Sequence, residues 1–226
     1  MEKKNYASIL DVALLEPETT MAQLEELCAN AKKYGYSAVA VMPSRVKAAA
    51  QLLKGSSVKV DVAISFPFGM TTTAVKVLET AEAIDNGASE VDMVINIGKF
   101  RDGDYDAVFE DMKAVVDAAK AKGDIIVKAI LETGLLTDEE IVKACELAEK
   151  AGMDFVKTST GFSKGGANAH VLKLMKKSVS DVVEVKASGQ VRTYENAVDF
   201  TQAGSTRLGC SARSALAIVN AYLNQD

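Results

Sequence analysis

One unit recurs along the chain and limits its architecture more than any other feature: a helical stretch that ends in glycine, followed within a few residues by a β-branched apolar run. It appears in AKKYGYSAVAVMP, LLKGSSVKVDVAIS, EAIDNGASEVDMVIN, AKAKGDIIVKAIL, AEKAGMDFVKTS and TQAGSTRLG. The glycines are Gly35, Gly55, Gly87, Gly123, Gly152 and Gly204. Glycine in that place supplies the left-handed residue that stops a helix. DVVEVKAS is a seventh run without the glycine, and SILDVALL is an eighth near the start. Strands are therefore predicted at 8–14, 37–42, 58–65, 90–96, 124–131, 154–158, 183–187 and 206–209. They are almost continuously apolar, as strands covered on both faces must be. Helix starts are predicted at Ser44 after Pro43, at Thr71–Thr73, and at Thr137, where Glu140 completes a capping box. Eight βα units in 226 residues predict an α/β fold, a single-domain (β/α)₈ TIM barrel over residues 1–226. The alternative, an open doubly wound sheet, does not need eight regular units, and no GxGxxG follows the first run.

Composition narrows the partners. Twenty-six basic residues stand against 31 acidic ones, a net charge of −5, with no basic block. Nucleic acid is not expected as a partner, and an anionic substrate must be held by a local site. The opening MEKKNYASILDVALL, with Lys3 and Lys4, does not read as a secretory leader, because its apolar run is short and broken by Asp11. No run reaches the roughly 18 apolar residues of a membrane span. Cys28, Cys145 and Cys210 are scattered and odd in number, which points to reduced thiols and a cytoplasmic location. With one histidine, His170, and no CxxC, no structural metal site is expected; no cofactor is expected either. His170 reads as a surface residue, and Cys210 as a small buried hydrophobe.

Charges inside the apolar runs point to chemistry. They are Asp11, Asp61, Asp92, Lys128, Lys157 and Lys186. An unpaired buried charge costs several kcal/mol, so these residues must pair, shift their pKa or line a wet pocket. Lys157 and Lys186 lie on consecutive strands near their C-terminal ends, where barrels build active sites. Two ammonium groups facing each other lower one another's pKa, desolvation does the same, and a neutral amine attacks carbonyls. Asp92 is then a proton carrier. The competing reading is a Lys–Asp–Lys network that merely fixes the strands.

Three predicted strand ends are rich in glycine and hydroxyls: Ser159–Phe162, Ala187–Arg192 and Leu208–Ser211. The last two fall where barrels commonly bind phosphate through backbone N–H groups and a helix N-terminus. Gly161, Gly189, Gly209 and Ser211 are the candidates, with Arg192 as a charged donor. Ordinary turn chemistry accounts for any one of these loops alone.

The ordered set EVDMVINIG, VKAILETG, AGMDFVKTSTGF, VKASG-x-VRT and RLG-x-S, with SFPFG and LLEPETT earlier, resembles the deoxyribose-phosphate aldolase family over nearly the whole chain. The resemblance implies a metal-free class I aldolase that reversibly cleaves 2-deoxy-D-ribose 5-phosphate to D-glyceraldehyde 3-phosphate and acetaldehyde. It implies Lys157 as the Schiff-base lysine, Lys186 as the lysine that lowers its pKa, and Asp92 as the acid/base. Lys128 and Asp11 would support the pocket, and Thr158 would join the substrate contacts. A homodimer is implied as well. The chain departs from the family pattern at Ala13, Met42, Gln190 and Arg213. These departures keep open a sibling Schiff-base aldolase with another acceptor or donor. A sugar-phosphate-binding barrel without turnover is the third reading.

Overall fold

The computed structural model describes residues 5–223; Lys3 and Lys4 lie outside them. Eight parallel strands close into a barrel in sequence order. They are β1 (Leu10–Leu14), β2 (Ala38–Val41), β3 (Lys59–Ile64), β4 (Glu90–Val94), β5 (Ile126–Ile130), β6 (Phe155–Lys157), β7 (Glu184–Ser188) and β8 (Arg207–Ser211). The helices are α1 (Met21–Tyr34), α2 (Val46–Leu52), α3 (Thr73–Asp85), α4 (Ile97–Arg101), α5 (Tyr105–Lys120), α6 (Asp138–Ala151), α7 (Ala169–Lys177), α8 (Tyr194–Gln202) and α9 (Ala212–Leu223). The eight-unit reading of the sequence therefore holds. No helix among the described residues is long and apolar enough to cross a membrane.

Local chemistry explains most boundaries. Gly35 and Gly152 adopt the left-handed conformation (φ 72° and 87°) and return their N–H to Ala31 and Ala148. Thr137 and Glu140 form the expected capping box, and Thr20 with Gln23 forms a second that the apolar pattern did not announce. Two expected caps are corrected. Ser44 sits inside a short 3₁₀ turn, Pro43–Arg45, that carries no side-chain cap bond. Thr72 occupies the cap of α3 without capping it. The Thr71 hydroxyl instead bonds Ser65, and the Thr73 hydroxyl bonds Asp111. Most expected strand ends ran one or two residues long, and residues 6–9 are a 3₁₀ turn capped by Asn5. β7 and β8 instead run on to Ser188 and Ser211.

The apolar core lies between the strands and the helices, and the strands divide their residues by a period of two. Val60, Val62, Val91, Met93, Val127, Val156, Val185 and Leu208 join the core with Leu24, Met112, Ile141, Leu172 and Ile218 from the helices. The intervening positions carry Asp11, Asp61, Glu90, Asp92, Lys128, Lys157, Lys186 and Arg207, all buried and all outside that apolar cluster. A sequence that looked uniformly apolar thus hides a polar lumen inside an apolar sleeve.

Candidate active site

Strand pairing sets the charges side by side. Asp61 is register partner to Glu90, Asp92 to Lys128, Lys157 to Lys186, and Lys186 to Arg207. Closure of the barrel then brings the two halves together. Lys128 lies 2.7 Å from both Asp92 and Glu90, and 3.2 Å from Asp61. Lys186 lies 2.7 Å from Asp11 and from Asp92, and 3.0 Å from Asp61. Arg207 holds Glu90 at 2.6 Å and Asp11 at 3.2 Å. Lys157 has one carboxylate partner, Asp92 Oδ2 at 2.7 Å, and Lys186 donates to that same oxygen at 2.7 Å. Four cations meet four carboxylates, so the buried set is formally neutral, as a dry interior demands.

The sequence reasoning missed Glu90 and Arg207. Period-two spacing could have found Glu90, since residues 90 and 92 share a strand face. Asp11, Asp61 and Glu90 approach closely enough to suggest a cation site. Each, however, faces an ammonium or guanidinium that a metal ion would have to displace.

The lysines are not equivalent. Burial lowers the Lys157 pKa, and the charge of Lys186 lowers it further against the pull of Asp92. Burial also presses on Lys186, but Asp11, Asp61 and Asp92 outweigh it and hold that ammonium well above its usual range. Lys128 is likewise raised, burial being overcome by Asp61 and Asp92. Burial pushes against the Asp92 carboxylate, yet Lys128, Lys157 and Lys186 keep it ionised far below its ordinary value. Lys157 is 5 % exposed against 1 % for Lys186, and both line a cleft of about 210 Å³ at the C-terminal mouth of the barrel. One lysine is thus disposed to be a free amine beside one fixed as a cation.

The same cleft gathers Asp11 with Gly161, Gly189, Arg192, Gly209 and Ser211. Glycine at 209 is a packing requirement: a Cβ there would meet Ser188 Oγ at 2.9 Å and Lys186 Cε at 3.4 Å. Asp92 and Lys128 do not line the cleft; Asp92 meets it through the ammonium groups of Lys157 and Lys186, and Lys128 lies behind Asp92 as its further partner. Thr158 does not join the site as the resemblance implied. It is fully buried, and its hydroxyl donates to Ser188 O at 2.7 Å and accepts from Ser188 N–H at 2.9 Å, tying β6 to β7. Of the departures from the family pattern, Ala13 and Gln190 lie on the cleft wall, where Ala40 joins them, whereas Met42 and Arg213 stand off the cleft. Gln190 is the one non-glycine left-handed residue of the wall, at φ 65°. Burial pushes the Cys210 thiol up to about 12, in keeping with a small hydrophobe. His170 is exposed and meets Asp138 at 2.6 Å.

A model of the DeoC/LacD family aldolases matches residues 5–212. The chain belongs to that family. It is 52% identical over 216 residues to the deoxyribose-phosphate aldolase of Clostridium perfringens (strain 13 / Type A), covering 96% of each chain. It is 54% identical over 208 residues to that of Macrococcus caseolyticus, covering 92% of this chain and 93% of the relative. Among solved structures, the deoxyribose phosphate aldolase of Aeropyrum pernix, described as a tetramer, superposes with a TM-score of 0.89 at 28% identity. That match covers 98% of this chain and 92% of the other. The two-lysine lumen therefore lies within the matched region of a family of aldolases.

Proposed function

We propose that this aldolase reversibly cleaves 2-deoxy-D-ribose 5-phosphate to D-glyceraldehyde 3-phosphate and acetaldehyde through an imine on Lys157. The carrying observation is the asymmetry between Lys157, depressed and open to the cleft, and Lys186, held protonated on the same aspartate oxygen. The Lys157 amine adds to the C1 aldehyde of the open-chain sugar. The carbinolamine takes a proton and loses water, leaving a protonated imine. A base removes the C3 hydroxyl proton, the C2–C3 bond breaks, and its electron pair moves into the imine to give an enamine. D-Glyceraldehyde 3-phosphate departs. Protonation of the enamine carbon and addition of water then release acetaldehyde and the free amine. Lys186 supplies protons, and Asp92, within 2.7 Å of both lysines, relays them. The phosphate would rest on backbone N–H groups near Gly189, Gly209 and Ser211, with Gly161 opposite and Arg192 at the lip.

Borohydride trapping with acetaldehyde, followed by peptide mass mapping, tests this. An ethyl adduct on Lys157 is the expected result, and no adduct anywhere would overturn it. Ala13 and Gln190 on the cleft wall favour a second reading, a sibling aldolase with another acceptor. A preference for unphosphorylated deoxyribose over the 5-phosphate would move the assignment there. The assembly we infer is a cytoplasmic homodimer, its location resting on three buried, unpaired cysteines; light scattering on the eluted protein checks the stoichiometry.

A further inference from the structure

We propose that Asp61 is a positioning residue for this reaction: from β3 it fixes the charge of Lys186, and through Lys186 it sets the pH range in which Lys157 works. The inference rests on the imine assignment above.

Asp61 has no direct part in the chemistry. It is fully buried, does not line the cleft and makes no ion pair with Lys157. Its Oδ2 lies 3.0 Å from Lys186 and 3.2 Å from Lys128, while its Oδ1 has no hydrogen-bond partner among the described residues. What it supplies is charge. Without it, Lys128, Lys186, Arg207 and a protonated Lys157 would face only Asp11, Glu90 and Asp92, and the lumen would carry an excess positive charge until Lys157 gave up its proton. The groups around it are Lys128 on β5, Lys186 on β7, Asp92 and Glu90 on β4, and Asp11 on β1, with Lys157 and Arg207 further off. Burial and the neighbouring carboxylates push Asp61 up to about 6, so above that pH it is ionised and raises the affinity of Lys186, and more weakly of Lys157, for a proton.

The sign follows from charge alone. Imine formation needs Lys157 neutral, so its acid limb tracks that lysine. Proton donation needs Lys186 charged, so the alkaline limb tracks Lys186. Replacing the carboxylate by a neutral isostere lowers both proton affinities. Both limbs move to lower pH, the alkaline limb further, because Asp61 touches Lys186 and not Lys157.

The experiment compares kcat/KM for deoxyribose 5-phosphate from pH 6 upward in wild type, Asp61→Asn and the charge-balanced double variant Asp61→Asn/Lys128→Met, with borohydride trapping on each. The expected result is an Asp61→Asn profile displaced to lower pH, a partial return in the double variant, and a Lys157 adduct in all three. If Asp61→Asn does not fold, the double variant carries the test, since it removes one charge of each sign. Its alkaline limb should still lie nearer the wild-type position than that of Lys128→Met alone. Limbs that stay in place in a folded Asp61→Asn, with melting temperature alone altered, would make Asp61 a structural filler and overturn the proposal. Absence of a Lys157 adduct in wild type would instead defeat the imine assignment, so the two failures are distinguishable.

Discussion

Lys76 and Lys157 are both buried against an aspartate, and burial lowers the proton affinity of both. Lys76 lies between α3 and α5 outside the barrel, fully buried, with Asp111 at 2.5 Å and the carbonyl of Val94 at 3.0 Å. Thr73 donates to the other Asp111 oxygen, so the pair closes on itself. Lys157 shares its aspartate with two more lysines and opens on the cleft. A lowered pKa is therefore no mark of catalysis by itself. Lys76 is pinned by one partner and the backbone, whereas Lys157 has a charged neighbour that lowers its proton affinity and an opening to the cleft. The first arrangement ties a helix pair together; the second leaves an amine facing a cleft, as the proposed imine chemistry requires.

The largest effect should come from removing Lys157. Lys157→Ala is expected to lose at least roughly 10³-fold in kcat/KM, about 4 kcal/mol of transition-state stabilisation. Lys157→Arg should be equally inactive, since a guanidinium stays charged and forms no imine. Steady-state cleavage assays decide it, and retention of a tenth of wild-type activity in either variant sinks the assignment. Next is Lys186→Leu, expected to cost roughly 10²- to 10⁴-fold as a proton donor is lost. Losing the cation also strengthens the hold of Asp92 on the Lys157 proton, so the acid limb of imine formation should move to higher pH. An unmoved acid limb would show that Lys186 does not tune Lys157.

Lys76→Met should reverse the pattern. It leaves Asp111 buried and uncompensated, a loss of about 3–5 kcal/mol in unfolding free energy, yet the pH profile of cleavage should stay where it is. Denaturant unfolding alongside the profile tests the contrast, and a shifted limb would tie the two lysine systems together. The smallest effect is expected at Gln190. Its left-handed backbone stores about 1 kcal/mol of strain, and the exposed side chain reaches across Gly166. Gln190→Gly relieves that strain but loosens the unfolded chain by a similar amount, so stability should barely change. The preference for deoxyribose 5-phosphate over deoxyribose should survive in both forms, as kcat/KM ratios would reveal. A preference that appears only in Gln190→Gly would place the side chain in the phosphate path.

How much was legible before the fold was known follows from the range of each interaction. The alternation of helix, glycine and apolar run is written within a dozen residues, because helix stops and caps are local chemistry. The barrel and the Thr137 capping box could therefore be read directly. Lys157, Lys186 and Asp92 were visible as charges out of place in apolar runs. Ser44 misled because a short 3₁₀ turn intervened between the proline and the helix. Thr158 misled because its motif does not say that a hydroxyl closes back onto a neighbouring strand.

By itself, then, the sequence determined the order of elements, the residues that stop them and the charges that had to find partners. Only the tertiary structure decided which partners those were. Lys76 meets Asp111 across 35 positions, and Lys186 meets Asp61 across 125. Glu90 and Arg207 entered the network unannounced, because closing eight strands brings opposite walls of one lumen together. Local periodicity fixes which face a side chain is on. The charge it meets across the barrel depends on register and closure, which no short stretch of chain encodes.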